Sequence, residues 1–192
     1  IGRDALLVSN GSENVAIGSK CLDANTTGGE NTAIGYVALG ANTTGSNNVA
    51  VGRVSLDANT TGDYNTAVGS GTLSSSTTTD GNTAIGYNAL TANSTGAKNV
   101  AVGSNSLDSC TTGERNNAVG YRAMQGLTTG YRNVAIGNDA MYAGNGNENV
   151  AIGEQALYNS AASNLVAVGN KALLANTTGT QNTAVGNLAL DA

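Results

Sequence analysis

The chain has 192 residues, 8 Lys and Arg against 13 Asp and Glu, and a formal charge of −5. That balance excludes the basic footprint of a nucleic-acid binder, and along the sequence the cations are scattered with no basic stripe. No apolar run reaches the length of a membrane span and no signal-peptide pattern is present, so this segment is expected to insert in no membrane.

One phrase recurs along the chain. Residues 31–47 read NTAIGYVALGANTTGSN, and residues 48–64 read NVAVGRVSLDANTTGDY. We number the positions of this unit as slots 1 to 17, from the Asn before the A-[I/V]-G core. Slot 5 is glycine from Gly2, Gly18 and Gly35 through to Gly186, at steps of seventeen residues with three of sixteen. A short fixed period predicts a solenoid. The chain opens in slot 4 on Ile1 and closes in slot 11. It is therefore expected to be a piece of a longer fibrous protein, residues 1–192 forming a single run of about eleven coils.

Slot 1 is Asn in every complete repeat but one, where Leu165 replaces it. Identical amides one coil apart predict a hydrogen-bonded ladder along the axis. Slots 2 to 4 read mostly Val or Thr, then Ala, then Ile or Val, a β-branched pattern that predicts a short strand. Neighbours along a strand face opposite ways, so apolar residues in both slots 3 and 4 predict burial on two faces. One face lines the coil interior, and the other is expected to meet a second copy of the chain. So little Leu, Ile and Val in a thin solenoid also points to a homo-oligomer.

Glycine in slot 5 predicts a positive φ or a close backbone contact, and argues against helix. Slots 8 and 9, a small residue and then Leu, predict a second short extended piece. Met124 and Met141 both fall in slot 9, a volume-conserving exchange that marks it as core. In the three short steps the missing residue falls where other repeats read Asn-Thr-Thr-Gly, which predicts a surface turn over slots 12 to 15. Slots 6, 7, 16 and 17 vary and are expected to be exposed. Cys21 in slot 8 and Cys110 in slot 12 lie five repeats apart. That is about 24 Å at about 4.8 Å per coil, and a disulfide needs Cα atoms within about 7 Å, so none is expected. The fold class is all-β: a parallel β-solenoid, or β-roll.

Chemistry has little to work with. There is no His, so no Ser-His-Asp or Cys-His arrangement can form, and two separated cysteines make no zinc site. Asp23, Asp57, Asp108 and Asp191 share slot 10, but other residue types hold it elsewhere, as on a solvated face. No catalytic, metal-binding or cofactor-binding residues are expected, and the chain reads as no enzyme. Tyr36, Tyr87 and Tyr121 share slot 6, where exposed tyrosines can anchor a sugar or a protein. The remaining candidate surface is the pair of threonine rows in slots 13 and 14. These are Thr26 and Thr27, Thr43 and Thr44, Thr60 and Thr61, Thr77 and Thr78, Thr95, Thr111 and Thr112, and Thr128 and Thr129. Regular threonine ranks can order water against ice. Adjacent residues running into a turn also form a plain hydrogen-bonded ladder, with at most one row facing outward.

The pattern N-[V/T]-A-[I/V]-G-x-x-[small]-L resembles the head repeats of trimeric autotransporter adhesins of the YadA type. It is still more similar to the NTAIG-x-x-AL-x-x-NTTG arrays of phage tail-fibre and bacterial surface proteins. The likeness covers essentially the whole chain, although the seventeen-residue period is longer than that of the YadA-type head. It implies a homotrimer of left-handed β-rolls, extracellular on a cell surface or virion, serving as a structural and adhesive segment. The partners it implies are the chain itself and a host-surface glycan or protein. An ice-binding solenoid built on the threonine rows is the alternative.

Overall fold

The computed structural model describes residues 1–191 as a stack of coils carrying one parallel sheet. Its eleven strands run in strict sequence order from β1 (Val15–Ile17) and β2 (Thr32–Ile34) to β9 (Val150–Ile152), β10 (Val166–Val168) and β11 (Thr183–Val185). Each is three residues long and occupies slots 2 to 4. Pairing is in exact register: Ala16 opposes Ala33, Ala33 opposes Ala50, and so on, including across the sixteen-residue coils. Ten steps of about 4.8 Å make the sheet roughly 48 Å tall. No helix is present among the described residues.

The slot-3 alanines point inward and are fully buried from Ala33 to Ala167. The slot-9 column, Leu22 to Leu157 with Met124 and Met141 in place, is also fully buried. Each such side chain contributes about 1.5–3 kcal/mol. Cys21 and Cys110 are buried and unbridged.

Slots 8 and 9 do not form the expected second strand. Slot 9 lies in the left-handed region, with Leu39 at φ 52° and Leu56 at φ 50°, as does slot 7, with Val37 at φ 59° and Val54 at φ 48°. These residues still bond between coils, but the direction reverses. The Val37 N–H donates to the Ser19 carbonyl one coil back, and the Leu39 N–H to the Ser55 carbonyl one coil ahead. Two reversals of backbone handedness turn the chain around a corner too tight for extended residues. The burial of the Leu side chain repays a conformation costing roughly 1–2 kcal/mol per residue.

The expectation of a surface turn across slots 12 to 15 also needs correction. Slots 13 and 14 are at the surface, but slots 12 and 15 point into the coil: Asn25, Asn42, Asn59 and Asn93 are fully buried. The Asn42 Nδ2 donates to the Gly45 carbonyl at 2.9 Å and to the Asn25 Oδ1 of the coil before, also at 2.9 Å. Slot 15 is glycine because of this crowding: a Cβ on Gly45 would lie 2.5 Å from the Asn42 Oδ1 and 2.5 Å from the Gly62 carbonyl oxygen. Where slot 12 shrinks to Ser76, slot 15 grows to Thr79, and the two hydroxyls bond each other. Where slot 12 becomes Cys110, the ladder loses its next donor, and the Asn93 Oδ1 below is left without a partner. Burial pushes the Cys110 thiol up to about 11, and a hydrogen bond from the Gly113 backbone opposes the shift.

The slot-1 amides form the expected ladder. The Asn48 N–H donates to the Asn31 Oδ1 at 3.0 Å, its Nδ2 donates to the Gly62 carbonyl at 2.8 Å, and its Oδ1 accepts the Asn65 N–H at 2.9 Å. Slot 5 is as constrained as expected. Gly52 has φ 139°, and a Cβ there would sit 2.4 Å from the Gly69 carbonyl oxygen.

Replacing Asn48 with Leu keeps the branch at Cγ, orphans the buried Asn65 N–H and removes one of two bonds to the Gly62 carbonyl. The expected loss is roughly 2–4 kcal/mol, read as a lower denaturant midpoint with an unchanged slope.

Candidate functional site

Among the described residues there is no enclosed pocket and no cluster of three or more His, Cys, Asp or Glu able to hold a metal. The candidate surfaces are therefore external columns, each repeating one slot up the stack.

The two threonine rows separate. In slot 13 most hydroxyls are occupied: Thr26 Oγ1 donates to the Thr43 carbonyl, Thr43 to Thr60 and Thr60 to Thr77, each at 2.9 Å. Thr111 repeats the bond to Thr128 at 3.2 Å, and Ser94 to Thr111 at 3.0 Å. Slot 14 is exposed in an unbroken column of seven: Thr27, Thr44, Thr61, Thr78, Thr95, Thr112 and Thr129. One row faces outward, and the other is part of the wall.

The slot-6 tyrosines are exposed, Tyr36 by 50%, Tyr87 by 59% and Tyr121 by 50%. They are interleaved with cations. The Arg53 guanidinium lies 6.0 Å from the Tyr36 ring centre, and that of Arg122 lies 4.9 Å from Tyr121 and 5.0 Å from Tyr142. Arg122 also grips Asp139 with two bonds of 2.8 and 2.9 Å, which holds the guanidinium above its ordinary pKa. Tyr142 stacks on Tyr158 with ring centres 5.0 Å apart. Both faces of Tyr142 are covered, one by Tyr158 and one by Arg122, so this ring offers its edge rather than a platform for a sugar.

The slot-10 acids do not converge. Asp108 is held by Ser109 at 3.0 Å and by Gln125 from the next coil at 3.0 Å. Asp57 has Gly40 below and Ser74 above, neither of which donates to it, and its Oδ1 is buried without a partner. Burial raises its pKa, with a bond to its own backbone opposing.

The largest feature is the outer face of the sheet. Slots 2 and 4 point away from the lumen on all eleven strands, with slot 3 between them facing in. Of their side chains, only Asn117 is not Val, Ile or Thr. In the single chain this face is half open: Ile17 is 44% exposed and Ile136 43%. The burial expected on both sides of the strand is thus met by the chain itself on one side only.

Two borders flank that face: slot 17 precedes each strand by two residues, and slot 6 follows it by two. Sequence analysis treated the cations as scattered. In the fold, Lys98, Arg115 and Arg132 stand in slot 17 of three successive coils, all exposed. Their spacing of seventeen residues was the signal that linear inspection missed.

No family model, no curated protein and no solved structure matches the chain.

Asp57 gives a pH test. Its folded pKa is raised, so the protonated form is favoured in the fold: the strain is absent below the unfolded pKa and appears as pH rises through the folded value. Asp57→Asn should therefore raise the melting temperature at pH 7, and the gain should vanish below about pH 4.

Proposed function

We propose that this chain is a non-catalytic structural and adhesive segment of a homotrimeric surface or virion fibre. The observation that carries the reading is the outward sheet face: eleven strands of almost entirely β-branched side chains, continuous and half open in a single chain. Apolar surface on this scale is rare on monomers and characteristic of an interface. Copies of the chain are the natural cover, because only another solenoid offers the same repeat over the same length. Three left-handed rolls about a common axis are what the resemblance of the A-[I/V]-G pattern adds. The columns left on the outside, slot-6 tyrosines and slot-14 threonines, are then repeated on every coil and every chain. Weak contacts to a host glycan or protein along such columns gain avidity by multiplicity.

Light scattering on the protein at micromolar concentration should give the mass of three chains. Ile85→Asp and Val102→Asp place a carboxylate in the covered face, where desolvation is costly. They should shift the mass to one chain while circular dichroism stays that of the parent. A parent that is monomeric at micromolar concentration overturns the reading.

A second reading is ice binding by the slot-14 column, favoured by its seven unbroken exposed hydroxyls at coil spacing. Thermal hysteresis measures it directly. Ice binding predicts a freezing-point gap in the parent that disappears in Thr44→Tyr/Thr61→Tyr/Thr95→Tyr, and a parent without any gap removes the idea.

A further inference from the structure

We infer that the two charged borders of the sheet face form a register code for self-association. They set copies of the chain parallel, with each slot-17 side chain directed one coil toward the C-terminal end of its neighbour. This rests on the fibre reading above and adds to it the polarity of the chains, their register and the residues that fix both.

When parallel chains pack by this face around an axis along the stack, the slot-17 border of one meets the slot-6 and slot-7 border of the next. Charges occur on both borders in a fixed order. Slot 17 carries Glu13, Glu30, Lys98, Arg115, Arg132 and Glu148. The opposite border carries Arg3, Asp4, Lys20 and Arg53 in its first third, and Arg122, Asp139, Glu154 and Lys171 in its last half. Three pairs already form within the chain, Arg122–Asp139, Arg3–Asp4 and Arg132–Glu148, and all of these groups are counted alike in each setting.

Directing slot 17 one coil ahead sets Glu30 opposite Arg53, Arg132 opposite Glu154, and Glu148 opposite Lys171. Arg115 then meets Asp139, and Lys98 meets Tyr121 and Arg122. Four matches result against one like-charge encounter, Lys98 with Arg122. The other settings are worse. At the same level Glu13 finds Lys20 and Arg132 finds Asp139, but Arg115 meets Arg122 and Glu148 meets Glu154. Two coils ahead, Glu13 finds Arg53, Lys98 finds Asp139 and Arg115 finds Glu154, but Arg132 meets Lys171. One coil back, Glu30 finds Lys20, but Arg132 meets Arg122 and Glu148 meets Asp139.

The groups of the first three matches are available. Glu30, Arg53, Arg132, Glu148 and Glu154 are exposed, and Lys171 is half-exposed. Arg132 and Glu148 already pair within the chain at 2.9 Å, so partner contacts extend that pair into a four-charge network with Glu154 and Lys171. The displacement is one coil rise, about 4.8 Å, within the reach of Arg, Lys and Glu side chains. An antiparallel arrangement sets each border against itself. Its best setting joins Glu13 to Arg132 and Glu30 to Arg115, but it leaves β9, β10 and β11 without cover. Exposed pairs add modest affinity; their larger effect is to penalise wrong registers.

The test uses the whole chain and follows dissociation by sedimentation. Glu30→Lys and Arg53→Glu, each alone, set like charges against each other at every interface of the assembly. Each should raise the dissociation constant about tenfold or more at low salt, less at high salt. The double variant should return to the parent value. Melting curves of the dissociated single variants should match those of the parent chain. Rescue of Glu30→Lys by Arg115→Glu instead of Arg53→Glu overturns the inference in favour of antiparallel packing. A parent that associates but ignores both single variants overturns the code and spares the fibre reading. A parent that never associates overturns both.

Discussion

A slot-1 asparagine inside the stack makes three bonds at once, and the rest of the coil is arranged around that. Asn48 bonds the coil before it through its N–H and the coil after it through its Oδ1, and reaches the Gly62 carbonyl through its Nδ2. Asn59 closes on the same carbonyl at 3.1 Å from slot 12. Two side chains thus clamp one buried carbonyl that no strand can reach. A thin coil has almost no apolar interior, so buried polar backbone must be paired by side chains or the coil cannot close. This makes neighbouring coils mutually dependent and drives the sequence to repeat. A different residue in slot 1 is a defect for two coils, not one.

The same economy shapes the outside. Glycines in slot 5 sit so near the next coil that a Cβ would contact its carbonyl oxygen. Left-handed residues in slots 7 and 9 fold the corner after it. Turning is concentrated in those positions and in slot 17, also left-handed, with Glu30 at φ 56° and Asn47 at φ 60°. The strands between them stack in register into one continuous outer face. Slots 2 and 4 hold Val, Ile or Thr almost without exception, a choice that suits a strand on its own account and that also makes the outer face apolar.

Much of this was legible in the sequence, and the parts that were not have physical reasons. The Gly-in-slot-5, Ala-in-slot-3 and Leu-in-slot-9 columns each follow from one steric demand on one residue, so periodicity alone exposes them. Asn-Thr-Thr-Gly misled, because the residues that favour turns are the same small polar residues that fill a polar lumen. Only the coupled change at Ser76 and Thr79 hints that slots 12 and 15 touch. The left-handed leucines were illegible because nothing in a Leu announces positive φ; burial imposes it. The slot-17 cations were visible only after the chain was written one coil per line. Of the candidate sites, the threonine rows were found at the right slots, but which row faces outward depended on the Oγ1 bonds of Thr26, Thr43 and Thr60.

Every charged residue of the chain falls in slots 6, 7, 10, 16 or 17. None lies in the strand, the lumen or the threonine turn, where a charge would break a ladder. The fold therefore separates two kinds of information by position. Slots 1, 3, 5, 9, 12 and 15 state the coil, and they repeat because any departure costs stability in two neighbouring coils. Border slots 7 and 17 hold a left-handed backbone but fix no particular side chain, so residue type there can differ from one coil to the next. A repeat protein faces a particular difficulty in assembly, because identical coils fit equally well at many registers along an apolar face. Variation confined to the borders of that face removes the degeneracy without touching the stack, and the order of acids and bases along slots 17, 6 and 7 has the form such a solution requires.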